Sequence, residues 1–148
     1  MLYRLLDETD GRRTIVAVLD HGDEAMAALQ WLAEEENLSA ATISGLGAFE
    51  RATVLFWDWD TKAYQDIPVS EQVEVLNLTG DIALDADGSP KLHVHAVLGR
   101  RDGAAIGGHL KEGLVRPTLE ITVTETPAHL HRRHDPETGL ALIDLKAR

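Results

Sequence analysis

The sequence predicts an α+β fold in which a largely antiparallel β-sheet is accompanied by one principal helix. Its 148 residues suit a single compact domain (1–148), and 44% apolar residues are enough to build a core. Most apolar segments are short, rich in β-branched residues and separated by turn signals, whereas only one segment has clear helical periodicity. Because helices do not alternate with the strands, the order of segments argues against a doubly wound sheet.

The first strand and the helix lie in the N-terminal quarter of the chain. Arg13–Asp20 has the composition of a buried strand. The helix is predicted within residues 21–38, with Asp23 and Glu24 in its first turn, where the helix dipole favours anions. Asn37 is placed to cap its C-terminus. Residues at helical spacing form one apolar face, namely Ala25, Ala28, Leu29 and Leu32.

The rest of the chain is predicted to form strands. In order, these are Ala40–Phe49, Arg51–Trp59, Gln72–Gly80, Lys91–Gly99, Thr118–Thr126 and Leu140–Lys146. Strict alternation in the third of them would place Leu76 and Leu78 on the face opposite Val75. With so few residues to cover the sheet, we expect a neighbouring chain to cover one face or edge.

Charge and composition restrict the classes of function. The chain contains no cysteine, so any metal site must use histidine and carboxylate ligands. The N-terminal residues lack the pattern of a signal peptide and no stretch has the length of a transmembrane helix, so we expect a cytoplasmic protein without membrane contact. The net charge of −11 disfavours DNA. A local basic patch would need the three arginine doublets to gather, namely Arg12–Arg13, Arg100–Arg101 and Arg132–Arg133.

Three histidines in the segment Lys91–Leu110 are the main candidate site. Residues two apart on a strand share a face, so His93 and His95 stand together, opposite the apolar face. Asp102–Gly103 predicts a turn, after which Gly107–Gly108 precede His109 and allow a close approach of the backbone. Three imidazoles with an open position suit zinc first, with nickel, copper or iron as alternatives. The competing interpretation is an ordinary polar sheet face.

Two further groups of residues compete for a role. The segment Ala128–Gly139 contains His129, His131, His134 and Asp135, but its proline, glycine and charge indicate a solvated loop. Glu120 shares a strand face with threonines, and beside a metal it could be a ligand, an orienting group, a general base or a catalytic residue. The alternative is an exposed sheet residue. The chain contains no nucleophile motif, P-loop or dinucleotide fingerprint.

Four segments together resemble the PPC domain (plant and prokaryote conserved domain) of the stand-alone prokaryotic type: "ISGLGAF", "VEVLNLTGDI", "LHVHAVLGRRDGAAIGGHL" and "PTLEITVTE". The resemblance runs from about Ile15 to Leu145. It implies an α+β domain assembled as a homotrimer, with a DNA-binding label that derives from plant relatives carrying AT-hooks. This chain has no AT-hook. A more distant similarity is to the fold of acetolactate decarboxylase, a zinc enzyme in which a strand His-x-His and a later histidine bind the metal, as His93, His95 and His109 would here.

Three functions remain open on these grounds. The first is a trimeric zinc-binding protein with a small-molecule ligand and metal-dependent chemistry, such as hydrolysis or decarboxylation of a small oxygenated acid. The second is a DNA-binding or regulatory protein. The third is a structural module in which the histidines perform no chemistry.

Overall fold

The computed structural model describes residues 1–146 and confirms the predicted fold class, with one helix and mostly antiparallel strands. In chain order the elements are β1 (Leu2–Thr9), β2 (Arg12–Asp20), α1 (Ala25–Glu35), β3 (Ala40–Asp58), β4 (Ala63–Val69), β5 (Val73–Leu84), β6 (Pro90–Gly99), β7 (Ala105–Glu125), β8 (Arg132–His134) and β9 (Ala141–Ile143). No helix within these residues is both long and apolar enough to cross a membrane.

Seven strands form one sheet in the order β1-β2-β7-β6-β5-β3-β4, and β8 pairs with β9 separately. Strand β7 also pairs with β3. The strands β7, β6, β5 and β3 therefore form a closed circuit of antiparallel pairs. Each of these four strands is therefore paired with a neighbour on both of its edges. This pairing fixes the positions of their side chains.

The helix begins at Ala25 because Glu24 caps it: the Glu24 carboxylate accepts hydrogen bonds from the backbone N–H groups of Met26 and Ala27. The prediction that Asp23 and Glu24 occupy the first turn was therefore wrong by one or two positions. Asn37 terminates the helix in the left-handed conformation, with φ of 52°. Four buried residues form the face that packs on β6 and β7, namely Ala25, Leu29, Leu32 and Ala33.

Two long strands replace shorter predicted ones. Residues 40–58 form the single strand β3, because its pairing with β7 continues past the predicted break at Glu50 with only a register shift between Phe49 and Arg51. The predicted strand Thr118–Thr126 is the second half of β7, whose first half is the return arm of the hairpin. The last predicted strand, Leu140–Lys146, shortens to β9. Strands β1, β4 and β8 were not predicted.

A bulge in β5 changes which side chains face the core. The pairing of β5 with β6 shifts between Val75 and Asn77, so Leu76 is the extra residue. Leu78 is consequently buried on the same face as Val75, whereas Leu76 is exposed. The predicted alternation placed Leu76 correctly opposite Val75 but was wrong from Asn77 onward. Thr79 and Asp81, which follow the bulge, become cross-strand neighbours of His95 and His93.

Candidate metal centre

The β6–β7 hairpin places the three predicted histidines together. His95 and His109 are direct partners across the antiparallel pair, and His93 lies two residues earlier on the same face of β6. The turn between the strands is closed by hydrogen bonds from the Arg100 N–H to the Ala104 carbonyl and from the Gly103 N–H to the Arg100 carbonyl. Since paired strands fix the positions of their backbones, the geometry of the three imidazoles is built into the sheet.

Two glycines before His109 allow three strands to pack closely at this point. A Cβ atom on Gly107 would lie 2.8 Å from the carbonyl oxygen of Ala96 on β6. One on Gly108 would lie 2.5 Å from the carbonyl oxygen of Leu55 on β3. Both glycines therefore serve close approach of neighbouring backbones. His109 is held between β6 on one side and β3 on the other.

The imidazole rings converge on one point. The Nε2 atoms of His93 and His95 are 3.1 Å apart, and one nitrogen from each of the three rings lies within 4.8 Å of the others. Nitrogen ligands of a tetrahedral zinc ion lie about 3.3 Å apart, given zinc–nitrogen distances of about 2.0–2.1 Å. Small side-chain rotations would therefore bring all three rings to a common metal. Among residues 1–146, these are the residues whose arrangement could hold a metal ion.

The electrostatic environment keeps two of the rings neutral. Burial lowers the pKa of His109 to about 4, with further lowering by the positive charge of His93, His95 and Arg132. The pKa of His95 is also lowered, first by burial and then by the charge of His93. Neutral imidazole is the form that binds metals. His109 also has a buried Nδ1 without a hydrogen-bond partner in the described part of the chain. A buried imidazole nitrogen without a protein partner, within a set of three imidazoles, is consistent with binding of a divalent transition metal.

Asp81 contacts the Nδ1 side of the His93 ring, and Arg132 in turn holds Asp81. Neither residue was a candidate from the sequence. A carboxylate oxygen of Asp81 lies 3.5 Å from Nδ1 of His93, and its other oxygen accepts a hydrogen bond from Arg132. Burial raises the pKa of Asp81, but the hydrogen bond to His93 and the charge of Arg132 outweigh it, so this pKa lies below its ordinary value. A carboxylate on the second nitrogen of a histidine fixes the orientation and tautomer of the ring.

An aromatic pair from the edge of the sheet covers the third histidine. The ring of Tyr64 on β4 lies 5.2 Å from that of His109, centroid to centroid, with the planes tilted by 34°. Trp57 packs edge-on against Tyr64 at 4.8 Å. The apolar rings exclude water from one side of His109, which contributes to its lowered pKa. Strand β4 was not predicted, so Tyr64 was not a candidate from the sequence.

A cavity of about 230 Å³ opens beside the histidines. Its walls come from three parts of the chain: the start of β6, Tyr64, and the C-terminal segment 128–146. His93 and His109 lie on its inner side, and the remaining lining residues are Tyr64, Lys91, Leu92, Arg132, Leu140, Ala141 and Leu142. The three-histidine cluster is therefore accessible to a small molecule through this space.

The other sequence candidates do not join this cluster. Glu120 lies on β7 eleven positions beyond His109, about 36 Å along the strand, opposite Val18 and Leu46. Within one chain it does not reach the histidines. In the second histidine group, His129 bonds through Nδ1 to the Ser39 hydroxyl at 2.7 Å. The structure does not assemble His129, His131 and His134 into a possible metal site among the described residues.

Comparison with known proteins identifies relatives of this chain. The model of the Plants and Prokaryotes Conserved (PCC) domain matches residues 6–127. No curated protein matches the sequence. A crystal structure from Bacteroides thetaiotaomicron, named a "putative DNA binding protein", is 28% identical, with a TM-score of 0.87, and the match covers 98% of this chain and 99% of that one. The "metal-containing protein" of Archaeoglobus fulgidus is also 28% identical, with a TM-score of 0.82 and coverage of 97% and 98%.

A distant structural similarity supports the second resemblance at the level of the fold. A Staphylococcus aureus protein similar to alpha-acetolactate decarboxylase matches with a TM-score of 0.51 and 14% identity. The match covers 75% of this chain and 51% of that one. At this identity the similarity concerns the fold alone.

Proposed function

The chain belongs to the Plants and Prokaryotes Conserved domain family, and we propose that it binds a divalent transition metal, with zinc the first choice, through His93, His95 and His109. The observation that carries this proposal is the convergence of three imidazoles on a rigid hairpin. A protein surface rarely brings three imidazole nitrogens this close together without a ligand, since each gives up hydrogen bonds to water. The A. fulgidus relative, named for its metal, supports the same interpretation.

The donor set determines the chemistry that such a metal would supply. Three histidines leave an open position on a tetrahedral ion, and a zinc ion there acts as a Lewis acid or lowers the pKa of a bound water. Asp81 would hold the ring of His93, and Tyr64 would shield the ring of His109 from water. The cavity beside the histidines would admit a small-molecule ligand to the open position.

Calorimetric titration of chelator-treated protein with zinc tests the proposal. We expect one zinc per chain for the native protein and loss of tight binding in His95→Ala. His134→Ala is the matched control, because His134 belongs to the other histidine group and should leave the titration unchanged. A native protein that binds zinc no more tightly than the His95→Ala variant would refute the proposal.

DNA binding is the second candidate, favoured by the name of the B. thetaiotaomicron relative. The charges of this chain argue against it. One or both arginines of each doublet are ion-paired with carboxylates: Arg13 with Glu36 and Glu125, Arg100 with Glu71, Arg132 with Asp81, and Arg133 with Asp144. Pairing and a net charge of −11 leave little positive potential for phosphates. A duplex mobility-shift assay at low salt tests this candidate, which requires binding that weakens steeply as salt is added.

We also propose that the chain assembles as a homotrimer in the cytoplasm. The support is the resemblance in sequence together with large apolar side chains that are exposed on the sheet, among them Leu2, Leu46 and Leu76. The lack of cysteine means that the fold does not depend on an oxidising compartment. Light scattering after size exclusion should give three times the 16.2 kDa mass of the chain, and a monomeric mass would refute the assembly.

A further inference from the structure

We propose that the cavity beside the histidines binds a short carboxylic acid that carries a second oxygen, as hydroxyl or carbonyl, with Lys91 and Arg132 holding the acid group. This inference rests on the proposed metal at the three histidines, towards which the second oxygen would be directed. It adds a ligand class and two ligand-binding residues to the site.

The charge of the cavity is opposite to that of the protein. The chain has a net charge of −11, yet the residues that line the cavity include two cations, Lys91 and Arg132, and no carboxylate. Asp81 offsets Arg132 from outside the lining. Lys91 makes no ion pair with any described residue. A concave site with this balance, next to a divalent cation, concentrates anions.

Arg132 is preorganised and has an unused donor. Its side chain is only 6% exposed, and it is fixed by a hydrogen bond to the Ala141 carbonyl at 3.1 Å and by Asp81. Its Nε is buried without a hydrogen-bond partner among residues 1–146. A buried N–H without a partner destabilises the ligand-free state, and Arg132 is one of the residues that line the cavity. Guanidinium groups match carboxylates well, because both are planar and several N–H groups point the same way.

The size and the apolar walls limit the rest of the ligand. The volume of about 230 Å³ is below the roughly 300–1,000 Å³ of sites for drug-sized ligands. Leu92, Leu140 and Leu142 supply apolar lining. A short aliphatic chain fits this surface, whereas a sugar or a nucleotide would leave its hydroxyl or ring polar groups without partners.

One wall of the cavity lies outside the part of the chain that the family model matches. The match ends at residue 127, and Arg132, Leu140 and Leu142 lie beyond it. Backbone hydrogen bonds hold this segment over the site, from the Leu84 N–H to the Leu130 carbonyl at 2.7 Å and from the Leu130 N–H to Ser39. The matched domain therefore supplies the metal ligands and Lys91, and the segment 128–146 supplies Arg132 and part of the apolar lining.

Calorimetric titration of the zinc-loaded full chain tests the ligand class. The probe is 2-hydroxybutyrate, and butane-1,2-diol is the matched neutral compound in which an alcohol replaces the carboxylate. We expect the acid to bind at least about tenfold more tightly than the diol, as charge-assisted hydrogen bonds to two cations predict. Equal binding of the two compounds, or no binding of either, would overturn the proposal.

Neighbouring substitutions on β9 test the location. Leu142 lines the cavity and Ile143 does not, although the two side chains are similarly exposed, at 40% and 38%. Leu142→Glu should weaken 2-hydroxybutyrate binding at least about tenfold by charge repulsion, and Ile143→Glu by less than about twofold. Lys91→Met should weaken 2-hydroxybutyrate binding about fivefold, whereas Lys146→Met, whose lysine is not among the residues lining the cavity, should not. Equal effects within each pair would overturn the assignment.

The zinc content of every variant separates this inference from the proposed function. Native protein with one zinc per chain but no preference for the acid would overturn the ligand class and leave the metal site standing. Native protein that holds no zinc would overturn both, because the ligand's second oxygen would have no metal to bind. Variants that retain zinc but lose the acid selectively would support both.

Discussion

Replacing Asp81 by asparagine removes the carboxylate that supports His93 and keeps all three proposed metal ligands. Asp81 faces His93 across the β5–β6 pair and accepts a hydrogen bond from Arg132. Asparagine has nearly the same shape but no charge. Arg132 would then remain in place, 6% exposed, without its counter-charge, and the ring of His93 would lose the acceptor that orients it.

The size of the effect follows from the burial of the pair. Removing one partner of a buried ion pair costs about 3–5 kcal/mol, but the Asp81 side chain is 28% exposed and the amide oxygen still accepts a hydrogen bond. We therefore expect the free energy of unfolding to fall by about 2 kcal/mol. Loss of a carboxylate partner of a metal-binding histidine lowers metal affinity about 10- to 100-fold, and we expect this range for zinc.

Two measurements on the same variant check these values. Urea unfolding of chelator-treated protein gives the free energy of unfolding. It is measured at pH 7, because the pKa of Asp81 is lowered in the folded protein and its stabilisation is therefore complete above the ordinary carboxyl pKa. The stabilisation is lost only as the pH falls through the lower pKa of the folded state. Competition with a coloured chelator gives the zinc affinity. Asp66→Asn is the control, because Asp66 pairs with Lys111 where both are exposed. If Asp81→Asn behaved like this control in both assays, the proposed support of His93 would be refuted.

Three further substitutions or conditions test the surroundings. Gly108→Ala should lower stability by about 1–3 kcal/mol and weaken zinc binding, because its Cβ would lie 2.5 Å from the Leu55 carbonyl oxygen; unchanged urea and zinc titrations would contradict this. Glu125→Gln, which leaves Arg13 without its most buried partner, should cost about 2–3 kcal/mol in urea unfolding, and a change below about 0.5 kcal/mol would count against it. The pKa of His109 is lowered to about 4, first by burial and then by nearby positive charge. Between about pH 6.5 and 4 the unfolded chain therefore binds a proton at His109 that the folded chain does not. Metal-free protein should therefore lose at most about 3 kcal/mol over that window, and an unchanged urea midpoint between pH 7 and 5 would contradict it.

The sequence predicted the elements whose periodicity is regular. The helix, with Asn37 at its end, and the His93–His95 strand with its hairpin are confirmed, since a side-chain period reports directly on burial. The pattern failed from Asn77 onward, because a bulge at Leu76 adds one residue and reverses the faces beyond it. It also missed β1, because seven of its eight residues are exposed and burial therefore leaves little periodic signal there.

The candidate ligands could be predicted, but the groups around them could not. His93, His95 and His109 are close in sequence and joined by a recognisable turn. Asp81 reaches His93 only through the shifted register of β5, and Arg132 comes from a segment that composition alone identifies as loop. Glu120 has the right residue type on the right strand, yet the length of β7 carries it away from the histidines. Long-range pairing therefore decides which polar residues meet.

The metal content of the purified full chain, measured by inductively coupled plasma mass spectrometry, tests the central claim most directly. After incubation with zinc and removal of the excess, we predict about one zinc per chain in the native protein and in His134→Ala, and a large loss in both His93→Ala and His109→Ala. Native protein without bound metal, or a His109→Ala variant that retains the full amount, would contradict the assignment of the three-histidine site.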